Sequence, residues 1–85
     1  MMVAWTSETD RTGKVIAWHL DNDEELLKVY IHRWMGLPGW FLTCHAVRLE
    51  KAELEARNSV QAQNMAIRIV RGRLKDMLQS LPEEG

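Results

Sequence analysis

Apolar and polar residues alternate along the first half of the chain, then give way to a longer period. Residues 2–7, 14–20, 25–35 and 40–49 each read as a two-faced strand, rich in β-branched and aromatic side chains. Between them stand turn signals: Asp10-Arg11-Thr12-Gly13, the polar run Asp21-Asn22-Asp23-Glu24, and Gly36-Leu37-Pro38-Gly39. Short connections favour antiparallel hairpins, and side chains alternate between faces along each strand. Pairing consecutive strands this way sets Trp5 opposite Ile16, Trp18 opposite Leu27 and Ile31 opposite Leu42. One inner face then collects Val3, Trp5, Ile16, Trp18, Leu20, Leu27, Val29, Ile31, Trp40, Leu42, Cys44 and Ala46. A slip of one residue would turn a strand over and break the set. The expected sheet is a four-stranded antiparallel meander.

From Asn58 the spacing becomes helical. Ala62, Ala66, Val70, Leu74, Met77 and Leu81 recur on one side. Asn58 is a good N-cap, Gln61 stands three residues on, and Pro82 ends the helix. The fold class predicted is α+β, with one C-terminal helix packed on one face of the sheet. A single domain over residues 1–81 and a frayed acidic tail at 82–85 complete the expectation. Residues 50–57 resist assignment: propensity favours a helical turn, position favours a loop or an irregular strand. The apolar arc of the helix spreads from Met65 and Ile69 to Ile67 and Leu78, wider than one sheet contact needs. Arg73 falls inside that arc and is expected to reach an edge or to pair with a carboxylate. Gly72, mid-helix on the polar side, has no explanation in the sequence.

With 85 residues the core is small, and the 4 tryptophans supply much of the burial available. Parity sends Trp5, Trp18 and Trp40 inward and leaves Trp34 outward. The net charge of −1 exerts no general attraction on nucleic acid or anionic membrane. The charge is uneven, however. Arg68, Arg71, Arg73 and Lys75 face only Asp76 within the helix, whereas the chain before it is net acidic. The single cysteine, Cys44, rules out an internal disulfide framework. The first residues lack the pattern of a signal peptide, and no apolar run approaches the ~18 residues of a membrane span. A cytoplasmic location is the default expectation.

Candidate chemistry is sparse. His19, His32 and His45 fall on the outer face, but the expected register places His19 about 20 Å from His32, too far for a shared metal. Cys44 faces the core while His45 faces outward, so a Cys–His nucleophile is not formed. Glu50, Glu53 and Glu55 belong to a charged, solvated segment. No phosphate loop, zinc spacing or nucleophile elbow is present. The chain is therefore expected to be no enzyme, with no catalytic residues, no metal site, no cofactor and no small-molecule substrate.

The outer face is the stronger lead. Lys28, Tyr30, His32, Trp34, Phe41 and His45 give it more aromatic surface than an exposed sheet face ordinarily carries. That pattern fits a protein partner, a second copy of the chain, or stacked bases of a single strand. A basic stripe of Arg68, Arg71 and Lys75 on the outward side of the helix would suit phosphates or an acidic partner. Four strands followed by a helix are similar in order to Whirly-like single-strand DNA-binding domains. Strand, loop and capped helix also resemble the N-terminal part of HicB-type antitoxins. Both likenesses are of architecture, from which function does not transfer. The expected function is a small protein-interaction module: an inhibitor, antitoxin-like factor or adaptor, of the size that phages and mobile elements encode. It would use the aromatic face or a free sheet edge, with homodimerisation or another protein as partner. The alternative is single-stranded nucleic-acid binding through the sheet aromatics and the basic stripe.

Overall fold

A computed structural model describes residues 4–20, 27–34 and 36–84. The start of the first predicted strand with Val3, and the polar turn at 21–24, lie outside the described residues. Five strands form one antiparallel sheet in meander order: β1 Trp5–Thr9, β2 Val15–Leu20, β3 Tyr30–Trp34, β4 Leu37–Cys44 and β5 Leu49–Leu54. One helix, α1 at Ser59–Gln79, follows. The α+β meander with its C-terminal helix is as the alternation predicts, and the fifth strand is the addition.

That strand comes from the ambiguous stretch. The fourth strand does not run on to residue 49. It stops at Cys44, makes a 3-10 turn over His45–Val47, and re-enters the sheet as β5. Arg48 at φ 60° and Lys51 at φ 51° make this path possible. Left-handed backbone is normally marked by Gly or Asn, so no sequence signal announces the turn. Pairing with β4, from Cys44↔Leu49 to Trp40↔Leu54, overrides the helical propensity of Glu50–Arg57. The turn also moves two side chains from their expected places. Ala46, predicted inward, is exposed, and Val47, which alternation along an unbroken strand would turn outward, is buried in the core.

Face assignments hold where the register does not. Trp5 pairs with Leu20 rather than Ile16, and Trp18 with Ile31 rather than Leu27. Ile31 pairs with Leu42 as expected. Both displacements are even-numbered, so the side chains of β1, β2 and β3 keep their faces. The first has a local cause. The Asp10 carboxylate accepts hydrogen bonds from the Thr12 N–H at 2.8 Å, the Thr12 hydroxyl at 2.6 Å and the Lys14 N–H at 3.1 Å. This Asx-type closure, with Gly13 at φ 86°, makes a loop longer than a two-residue turn.

The core lies between the sheet's inner face and α1. Ile31, Leu42 and Cys44 are fully buried there, with Trp40, Val47, Leu49 and Leu54 around them. Trp5 and Trp18 are half-buried against the same cluster. Ala62, Ala66 and Val70 are the buried residues of α1. Two alanines let the helix axis come close to the sheet, and its contacts concentrate on β3, β4, β5 and the 3-10 turn. The helix is capped as predicted: the Asn58 side chain accepts from the Gln61 N–H at 2.9 Å. Gln61 Oε1 reaches back to the Arg57 N–H at 2.9 Å, one residue before the cap.

α1 is longer than the strands beneath it. Its 21 residues span ~31 Å, against ~17–27 Å for strands of five to eight residues. From Arg71 onward every described residue is exposed, so the C-terminal half projects past the sheet. Arg73 lies in this exposed half and so reaches solvent, the first of the two outcomes expected for it, and it forms no ion pair among the described residues. Among the described residues no helix is long and apolar enough to cross a membrane.

Candidate interaction surface

Pairing across the sheet arranges the outer face in rows. One row runs Thr6, His19, Tyr30, Thr43. The next runs Glu8, Ala17, His32, Phe41, Glu53. Neighbouring strands lie ~4.8 Å apart, so rings on paired positions must touch. They form a continuous layer. His19 stacks on Tyr30 with centroids 5.3 Å apart, Tyr30 meets His32 at 5.0 Å, and His32 stacks on Phe41 at 6.2 Å. Trp34 closes the layer edge-on to Phe41 at 5.7 Å. These offset and edge-to-face contacts suit the ring quadrupoles.

The layer is fixed from below by Thr43, the buried polar residue of the described chain. His32 Nδ1 lies 3.0 Å from the Arg33 carbonyl, and only an N–H can bond there. Nδ1 therefore carries the proton, and in the neutral ring Nε2 accepts from the Thr43 hydroxyl at 2.9 Å. The same hydroxyl oxygen accepts from the Lys51 N–H at 3.0 Å. The left-handed backbone at Lys51 thus ties β5 to the aromatic layer. The Lys51 ammonium sits 4.5 Å over the Trp34 ring, a cation–π contact.

The predicted site residues separate into two groups. Tyr30, His32, Trp34 and Phe41 are brought together as expected. Phe41 is buried beneath its neighbours, while Tyr30, His32 and Trp34 are half-buried. Lys28 is exposed but precedes β3 and stands outside the rows. His45 leaves the strand altogether and is exposed at the head of the 3-10 turn. Arg68, Arg71 and Lys75 are exposed on α1, in the layer on the other side of the sheet from the rings. Aromatic face and basic stripe are therefore two surfaces, not one.

His19 is nearer the site than the expected register allowed. It pairs with Tyr30, two positions from His32, and its Nε2 lies 2.9 Å from Glu8 Oε2. The distance argument against a metal thus fails for this pair, although no group of three or more His, Cys, Asp or Glu residues is placed to hold an ion among the described residues. No pattern in the sequence marks Lys51 or Thr43, because both act through β5, whose residues carry helical propensity. Cys44 is fully buried in the core and His45 is exposed beside it. Carboxylates end the second row at Glu8 and Glu53, which gives the face mixed charge. Comparison with protein-family models, curated proteins and solved structures finds no match to this chain.

Proposed function

We propose that this chain is a non-enzymatic protein-interaction module, an inhibitor, antitoxin-like factor or adaptor, whose contact surface is the aromatic outer face of the sheet. The observation that carries the reading is the continuous ring layer from His19 through Tyr30, His32 and Phe41 to Trp34. It lies opposite the helix, and no described element packs over it. Rings held by Thr43 and by one another lose little freedom on binding, which is what makes aromatic residues efficient contact groups.

Three features favour a protein over a single nucleic-acid strand. Glu8 and Glu53 border the rings and would repel phosphates. Arg68, Arg71 and Lys75 lie in the opposite layer, so one strand cannot stack on the rings and meet the stripe at once. Lys51, whose ammonium lies against the ring layer, already covers Trp34.

The reading is tested with Tyr30→Ser and Trp34→Ser together against the unaltered chain, as affinity baits in extracts of the source cell. A protein retained by the wild type, lost with the double variant and indifferent to nuclease supports the proposal. Retention that nuclease abolishes, or that the double variant leaves intact, overturns it.

A further inference from the structure

The projecting half of α1 carries apolar side chains that the chain's own fold leaves uncovered. Leu74, Met77, Leu78 and Leu81 are 37, 45, 69 and 66 % exposed. They continue the sheet-facing stripe beyond the end of the sheet. They stand at the i, i+3, i+4, i+7 spacing of a single helical face, which forms the seam open to a partner. Between this end of the helix and the 3-10 turn lies an open notch of about 740 Å³, with Val47 and Arg48 on one wall and Met77 and Leu81 on the other.

We infer that this projecting end pairs antiparallel with the same segment of a second copy of the chain, each helix tip entering the other's notch. Charge selects both the occupant and the direction. Arg71 and Arg73 flank the seam, and Glu83 and Glu84 follow its last leucine. A parallel pair would set the arginines beside arginines and the glutamates beside glutamates. An antiparallel pair that layers Leu74 on Leu81 of the other copy, and Met77 on Leu78, carries the acidic tail of each chain back to the level of its partner's Arg71. The contact is self-complementary about a two-fold axis, as an isologous dimer requires. Gly72 lies away from the seam and needs no partner to explain it.

The surface also sets the strength. Four partly exposed aliphatic side chains offer on the order of a few hundred Å² of apolar area per copy. A tight complex buries about 800 Å² per partner. The pairing is therefore reversible and concentration-dependent. It is independent of the aromatic face, so either proposal can fail without the other.

Sedimentation velocity across a dilution series tests it. The expected result is a single chain near ~1 µM and two-chain particles at ~0.5 mM. Leu78→Glu, at an exposed position outside the core, is expected to remain monomeric throughout with an unchanged melting curve at low concentration. Arg71→Glu is expected to raise the dissociation constant about tenfold, and combining it with Glu83→Arg and Glu84→Arg to restore it. A wild-type monomer at ~0.5 mM, or a dimer that survives Leu78→Glu, overturns the inference.

Discussion

His32 and Thr43 are diagonal neighbours on adjacent strands, joined by a 2.9 Å hydrogen bond between the imidazole Nε2 and the threonine hydroxyl. Through that hydroxyl the ring layer is coupled to the backbone of Lys51 on the edge strand β5. Replacing Thr43 with Val keeps the shape but strands a histidine nitrogen and a backbone N–H. The expected cost is about 1–3 kcal/mol in urea denaturation, with Thr43→Ser recovering most of it. An unchanged midpoint for Thr43→Val would show that the coupling contributes nothing.

Asn58→Ala removes the side-chain acceptor of the Gln61 N–H at the start of α1. Loss of such a cap costs about 1 kcal/mol. Thermal unfolding of the variant should show this loss, and Asn58→Ser, which retains an acceptor, should show little.

Gly72→Ala should stabilise the protein by up to about 1 kcal/mol, because alanine is the better helix former. A Cβ at this position meets nothing within 4 Å, so no steric cost offsets the gain. A lowered melting temperature would mean that the glycine serves a close contact absent from the isolated chain.

Asp10 gives the β1–β2 turn a pH dependence. The Thr12 hydroxyl, followed by the Thr12 and Lys14 N–H groups, holds its carboxyl below the ordinary carboxylate value. A depressed folded-state pKa stabilises the fold above the unfolded value of about 3.9. That contribution disappears as pH falls through the lower folded value. An NMR titration should place the Asp10 carboxyl below the ordinary aspartate value, and Asp10→Ala should remove its part of the acid loss.

The sequence discloses the faces of the strands because alternation is a local property. Trp40 goes inward and Trp34 outward at any even-numbered change in the strands' mutual offset. Offset itself depends on loop chemistry, as the Asp10 side chain shows by lengthening the first hairpin and moving the partner of Trp5 from Ile16 to Leu20. Strand β5 is hidden for a different reason. Its residues favour helix, and the backbone that delivers it turns at Arg48 and Lys51, neither of which signals a left-handed conformation. With β5 unseen, Lys51 over Trp34 and Thr43 beneath His32 were unreadable too. The broad apolar arc of the helix was legible, but not its division into a packed half at Ala62–Val70 and a projecting half beyond.

A photo-cross-linking phenylalanine in place of Tyr30, carried by the chain in its source cell, tests the aromatic face most directly. Its ring occupies the centre of the layer, between His19 and His32. A discrete adduct with another protein is expected, absent when the same group replaces Arg68 on the outward side of α1. Adducts with nucleic acid, or protein adducts from the Arg68 position alone, would contradict it.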